Sequence, residues 1–332
     1  MAWQFGWVTA DADIQSPYSL EARLKALNDF EGARIVVMGD SVALGKVMAE
    51  HGDENWREHT LAAVLAKLWQ ADHPGQPTLA LNLALNGAVP ADLEKLVELL
   101  ADINIDLLVI DVAMRSYSKD FETQSNLFSR DWLPLLATKG QGRLYITEKD
   151  APAKRFESSL SSLARTVLPL YALRDNVRER FFDGEPREAL SRLIKKILVG
   201  YPSEEQKENE LFDLLLKSQR RYETVNFEAD NPQRQATERM LDLLRTRKQK
   251  TVVFYTKENP ELIDSVMDMN RHAQWLEEFA AFIAGFADSG LITYIPPIPE
   301  LNSDLYLDIS HVNAEGYQIL GQRIWAALKC RN

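Results

Sequence analysis

The sequence predicts an α/β protein built on a parallel sheet with helices covering both faces. Three observations predict it: five short apolar runs spread along the chain, helical patterns between them, and one long charged helical stretch that interrupts the alternation. A strand that is apolar throughout, rather than at every second residue, needs cover on both sides. Parallel sheets linked by crossover helices supply that cover.

The runs are Ile35–Met38, Leu79–Leu85, Leu107–Val112, Thr251–Tyr255 and Leu291–Ile295, each aliphatic or β-branched and bounded by polar or turn residues. Between the first two, Glu58–Leu68 sets Leu61, Val64, Leu65 and Leu68 at helical spacing. Pro90 opens the next helix, where its missing N–H costs nothing, and Leu93, Leu96, Val97 and Leu100 form the inner stripe. Trp275–Phe286 precedes the fifth strand. Asn313 is placed to cap the last helix, whose stripe is Tyr317, Leu320, Ile324, Trp325 and Leu328.

From about Ala151 to Lys250 the chain is helical in pattern and heavily charged, with segments Ser158–Leu173, Glu188–Leu198, Glu210–Arg221 and Gln233–Arg245. The last leads into Thr251 and belongs with the sheet. The predicted division is an N-terminal extension over 1–29, a discontinuous α/β domain over 30–150 and 232–332, and a helical insertion or cap over 151–231. Alternating charges such as Glu204-Glu205-Gln206-Lys207-Glu208 read as a solvated face.

Composition sets limits. The 332 residues are 45% apolar, enough for a sizeable core, and 38 basic against 49 acidic residues give a net charge of −11. That balance lacks the basic footprint of a nucleic-acid groove. The single cysteine, Cys330, excludes an internal disulfide and gives no support to a cysteine-based metal cage, so no metal and no organic cofactor is expected. Glycine-rich phosphate loops are absent as well. No run approaches the roughly 18 apolar residues of a membrane span. The start, Met1 to Trp7, is short and has no basic flank, unlike a secretory signal. A cytoplasmic location is expected for the chain as it stands, and a periplasmic or other extracytoplasmic one if an export segment precedes it. The sequence does not speak to oligomeric state.

The chemistry sits at the two ends. Gly39-Asp40-Ser41 closes the first strand, which displays a hydroxyl at the carboxyl edge of the sheet, and Asp308-Ile309-Ser310-His311 precedes the last helix. Together they hold a hydroxyl, an imidazole to take its proton and a carboxylate to orient the imidazole. Of the five histidines, His51, His59, His73 and His272 read as solvent-facing or structural. His311 alone follows a carboxylate by three residues, close enough for Asp308 to hold one ring nitrogen while the other faces Ser41.

These blocks resemble the first and last blocks of the SGNH/GDSL hydrolase superfamily, and the strand spacing agrees over both flanks. Asn86-Gly87, after the second strand, resembles the block whose glycine N–H helps bind an oxyanion. The resemblance implies a flavodoxin-like three-layer sandwich with a five-stranded parallel sheet in the order 2-1-3-4-5. It implies esterase, lipase, thioesterase or glycan acyltransferase chemistry on a small-molecule or glycan ester. The implied roles are nucleophile for Ser41, base for His311 and orienting acid for Asp308. Oxyanion donors would come from the Ser41 and Gly87 backbones, with Asp40 and Asn86 lining the substrate site.

One block departs from the family. Where Gly-x-Asn-Asp is usual after the third strand, this chain reads Asp111-Val112-Ala113-Met114-Arg115-Ser116, with Arg115 in the place of the asparagine. Arg115 then either donates to an oxyanion, holds a substrate carboxylate or phosphate, or forms a salt bridge to Asp111 or Asp120. The stretch from Arg115 to Phe121 resembles the branch containing glycan O-acetylation and teichoic-acid D-alanylation proteins.

Other readings are open to test. An α/β-hydrolase needs Gly-x-Ser-x-Gly after several strands, whereas Ala43 stands at the final glycine position here. A phospho-receiver needs an acidic pair after strand one and a lysine after strand five, where this chain has Gly39-Asp40-Ser41 and Pro296-Pro297. The altered third block also motivates a degenerate scaffold of the same fold, binding a partner without catalysis.

Overall fold

The computed structural model describes residues 17–121, 215–287 and 290–329. The expected segments Ser158–Leu173 and Glu188–Leu198, and the start of Glu210–Arg221, lie outside the described residues. Nearly all described residues belong to one compact unit, Leu27–Leu127 with Ser218–Asn332.

The elements in chain order are α1 Pro17–Asp29, β1 Ala33–Met38, α2 Ser41–Leu44, α3 Val47–Glu50, α4 Trp56–His59, α5 Leu61–Asp72, β2 Thr78–Asn82, α6 Pro90–Leu99 and β3 Leu107–Asp111. After two 3-10 turns, at Met114–Tyr117 and Lys119–Phe121, come α7 Pro232–Thr246, β4 Thr251–Phe254, α8 Pro260–Ile263, α9 Met269–Ala284, β5 Ile292–Ile295 and α10 Ala314–Lys329. The strands form one parallel sheet in the order β2-β1-β3-β4-β5, the order the sequence resemblance implied.

Burial explains the apolar runs. All of β3 and β4 is buried, as is β1 apart from Arg34, because these three strands occupy the centre and are covered on both faces. Ile35, Val37, Leu107, Val109, Val252 and Phe254 pack with residues of α5 and α10 into one apolar cluster. Helices α6 and α7 pack against each other. β1 and β3 are neighbours, yet the chain leaves β1 toward β2 on one side and leaves β3 toward β4 on the other. That reversal opens a crevice at their carboxyl ends.

Several boundaries move, each for a local reason. The helix expected over Glu58–Leu68 is broken at Thr60, whose extended backbone ends α4 and whose hydroxyl caps α5 by accepting from Ala63 N at 3.4 Å. β2 stops at Asn82. Residues 83–85 still follow β1, with Leu83 N donating to Val37 O at 2.7 Å and Leu85 N to Gly39 O at 3.0 Å. The helix expected from Trp275 starts at Met269, capped by Asp268, whose Oδ1 accepts from Asn270 N at 2.8 Å. Asn313 caps the last helix as expected, accepting from Gly316 N at 2.9 Å.

Candidate active site

Gly39 ends β1 where there is no room for a side chain. A Cβ built there would stand 2.7 Å from Ala43 Cβ and 2.9 Å from Asp111 Cβ. Asp40 follows with an extended backbone and caps α2, its Oδ1 accepting from Val42 N at 2.8 Å. Ser41 is the first helical residue, half-buried, at the crevice between β1 and β3. Two contacts fix the short helix from outside the motif. Asn82 Nδ2 donates to Ala43 O at 2.9 Å, and the buried Tyr317 hydroxyl on α10 donates to Val42 O.

Across the crevice, Asp308 Oδ1 accepts from the backbone N–H groups of Ser310 and His311, both at 2.8 Å, and so curls the turn between them. The same carboxylate meets His311 Nδ1 at 2.7 Å through Oδ2 and 2.9 Å through Oδ1. His311 Nε2 lies 3.0 Å from Ser41 Oγ, joining residues 270 apart in sequence. The turn is braced on both sides. Leu307 N donates to His311 O at 2.7 Å, Asn259 N donates to Ile309 O at 2.8 Å, and the Tyr306 hydroxyl donates to Lys257 O.

Burial by itself would raise the Asp308 carboxyl, but the hydrogen bond and charge of His311, with the two backbone N–H groups, outweigh it and hold the pKa at about 2. A carboxylate kept ionised beside Nδ1 favours the tautomer with its proton on Nδ1, leaving Nε2 as an acceptor facing Ser41.

Arg115 lies in the 3-10 turn after β3. Its Nη2 donates to Asp40 Oδ2 and stands 3.5 Å from Ser41 Oγ. Of the ion-pair partners named from sequence, neither holds it. Asp120 pairs with Arg221 at 3.6 Å, and Asp111 accepts from Thr256 N at 3.3 Å and Thr256 Oγ1 at 3.4 Å. Burial, then the neighbouring Asp40 charge, pushes the Asp111 carboxyl well above the usual carboxylate range. Burial alone would lower the Arg115 pKa, but the neighbouring acidic groups, Asp40 foremost, carry it above its ordinary value, so the guanidinium is permanently charged.

Asn86-Gly87 forms a turn closed by Ala88 N donating to Leu85 O at 3.0 Å, with Gly87 at φ 75°, a conformation that suits glycine. The bond from Leu85 N to Gly39 O brings this turn beside the end of β1, and the Asn86 side chain is exposed. The other histidines lie elsewhere. His51 is exposed and bonds Val47 O, His59 bonds Asp53, His73 stacks on Trp69, and His272 is buried in α9.

Sequence reasoning missed Asn82, Tyr317 and the loop Lys257–Asn259. Tyr317 sits on the apolar stripe of α10, and only its hydroxyl, buried and bonded, marks a second role. Among the described residues no cluster of three or more His, Cys, Asp or Glu could hold a metal ion, and no helix is long and apolar enough to cross a membrane.

No protein-family model matches the chain, and no curated protein does either. The solved structures similar to it include these two. One, described as the crystal structure of TesA, is 13% identical with a TM-score of 0.42, covering 90% of this chain and 99% of that one. The other, described as a carbohydrate acetylesterase family member from Sinorhizobium meliloti, is 11% identical with a TM-score of 0.36, covering 90% of this chain and 98% of that one.

Proposed function

We propose that the protein is a serine ester hydrolase of the SGNH/GDSL type that works through an acyl-enzyme on Ser41. One observation carries the reading: a hydroxyl, an imidazole and a carboxylate from opposite ends of the chain in series, at 3.0 Å and 2.7 Å. Four bracing contacts from β2, α10 and the loop after β4 hold them there, more than an ordinary strand-to-helix turn requires.

The proposed reaction begins with His311 Nε2 taking the proton of Ser41 as Oγ bonds to the ester carbonyl carbon. The carbonyl electron pair moves to its oxygen. The N–H groups of Ser41 and Gly87 are its proposed donors, and Arg115 adds a fixed positive charge 3.5 Å from the attacking atom. Asp308 steadies the imidazolium. The C–O bond to the leaving alcohol breaks as His311 returns the proton to it, leaving the acyl group on Ser41. Water then bonds to the acyl carbon as His311 takes its proton; the bond from that carbon to Ser41 Oγ breaks as His311 returns the proton to Oγ, and the acid is released. A sugar or other alcohol replacing water in that last step makes the same site an O-acyltransferase.

The pair of Arg115 with Asp40 bears on the two ligand roles open to the arginine. The pair with Asp40 sets Arg115 Nη2 3.5 Å from Ser41 Oγ, which supports the reading of the guanidinium as a donor to an oxyanion that forms there.

A fluorophosphonate probe tests the reading. Labelling of the wild type at Ser41, with none in Ser41→Ala, is the expected result. A wild type that gives no adduct marks the catalytically silent scaffold instead. Turnover of short and long p-nitrophenyl esters, with and without a sugar acceptor, separates hydrolysis from transfer.

A further inference from the structure

The loop after β4 buries a carboxyl group that the proposed chemistry does not use. Glu258 is 2% exposed. The Tyr222 hydroxyl donates to its Oε1 at 2.7 Å, and the Tyr255 hydroxyl donates to its Oε2. His272 Nε2 lies 3.3 Å from the Tyr255 hydroxyl and 3.6 Å from Oε2. All three partners are buried; they come from the stretch before α7, the residue after β4 and helix α9. Apolar residues of similar volume often stabilise an interior as well as such a group does. What the carboxyl group adds is direction, because two oxygens gripped by two fixed phenols leave Glu258 little freedom.

The residues on either side of Glu258 hold the acid–base turn. Lys257 O accepts from the hydroxyl of Tyr306, two residues before Asp308. Asn259 N donates at 2.8 Å to the carbonyl of Ile309, which lies between Asp308 and His311. Thr256 ties the start of the loop to the end of β3, its N and Oγ1 reaching Asp111 Oδ1 at 3.3 Å and 3.4 Å. The bonds from Leu307 N to His311 O, 2.7 Å, and from Asn313 N to Leu305 O, 2.8 Å, run within the turn and set its shape. Those from Lys257 and Asn259 come from the sheet side and set its position. Both are made by backbone groups, so they are in place only when the loop backbone is.

We propose that Glu258 is a positioning residue for His311. Its side chain, gripped by Tyr222 and Tyr255, fixes the loop whose neighbouring residues hold the Asp308–His311 turn, and so keeps Nε2 at 3.0 Å from Ser41 Oγ. The proposal rests on the Ser41 reading and adds to it a device the reading does not require. A base and a nucleophile 270 residues apart need their separation fixed from outside either motif. A misplacement of about 1 Å is enough to cost about 100-fold in rate.

The test is a double-mutant cycle on the full chain, reading kcat and KM, with competent sites counted by complete fluorophosphonate labelling. Glu258→Gln keeps the length of the side chain but sets an amide NH₂ against one of the donating phenols. It is expected to lower kcat per site about 10-fold with KM within about twofold. In a His311→Ala background the same change is expected to alter the residual rate less than about twofold, because the group being positioned is gone. Tyr222→Phe, which removes one oxygen and keeps the ring, serves as the second variant if the glutamine protein melts early, with the same pattern expected. Wild-type kcat per site in both variants, as a purely structural anchor would give, overturns the positioning role while leaving Ser41 as nucleophile. Equal fold losses in the two backgrounds overturn it as well. A wild type that never labels at Ser41 removes the underlying reading, and the positioning role with it.

Discussion

Asp40 divides its carboxylate between two tasks, capping the short helix that begins at Ser41 with Oδ1 and binding Arg115 with Oδ2. The residue just before Ser41 therefore sets both the placement of the hydroxyl and the position of the nearest cation. Its side chain is 6% exposed and that of Arg115 is 17% exposed, so each depends on the other for its charge balance.

Removing one partner of that pair strands the other. Arg115→Gln is expected to destabilise the fold by about 3–5 kcal/mol, the usual cost of an uncompensated buried charge. It should also lower kcat by about 100-fold or more through loss of the proposed oxyanion donor. Adding Asp40→Asn should restore part of the stability and none of the rate. Denaturant unfolding and steady-state kinetics on the three proteins check this, and a double variant that regains kcat would rule Arg115 out as a donor.

Under the proposed mechanism, Ser41, His311 and Asp308 should not contribute alike. Ser41→Ala and His311→Ala are each expected to lower kcat by about 10⁴-fold or more, and Asp308→Asn by about 10³- to 10⁴-fold, since the asparagine keeps the turn but favours the wrong imidazole tautomer. Combining any two should cost little beyond the larger single loss. Additive losses in single-turnover assays would mean that the three do not act as a unit.

Asp308 also ties stability to pH. Its pKa falls from 3.8 to about 2 on folding, worth about 2 kcal/mol. Because the folded value is the lower one, this contribution is complete above about pH 4 and is lost as the pH falls toward 2. Urea unfolding of the wild type and Asp308→Asn should therefore differ at pH 7 and converge at low pH. A gap that stays constant across that range would contradict the assignment.

Gly321 lets α10 lie close against α5. A Cβ at this position would fall inside van der Waals contact of Val64 Cγ1, with Leu61 Cδ1 at 3.6 Å. Gly321→Ala is expected to cost about 1–3 kcal/mol by overpacking, lowering the melting temperature while leaving kcat near wild type where the protein stays folded. Val64→Ala in the same chain should recover part of the loss, read by thermal unfolding.

Much of this architecture was legible in the residues because its causes are local. An apolar run such as Val36-Val37-Met38 reports burial on both faces, Pro90 and Asn313 mark helix starts, and Gly39 sits where a side chain cannot fit. The break at Thr60 had a local signal, a capping residue just before the first apolar position Leu61, which a helix start placed at Glu58 passed over. The partner of Arg115 was misread because Asp111 and Asp120 are near in sequence, while Asp40 is near in space.

The sequence by itself determined which segments become strands, which helices cover them, and that a serine, a histidine and an aspartate stand at matching edges. Only the tertiary structure decided that residues 270 apart meet at 3.0 Å, that Arg115 leans on Asp40, and that Tyr222 donates to the buried Glu258. The physical reason is range. Periodicity and capping are set by neighbours along the chain. Hydrogen bonds between distant side chains exist only once sheet order and register fix which strand ends adjoin.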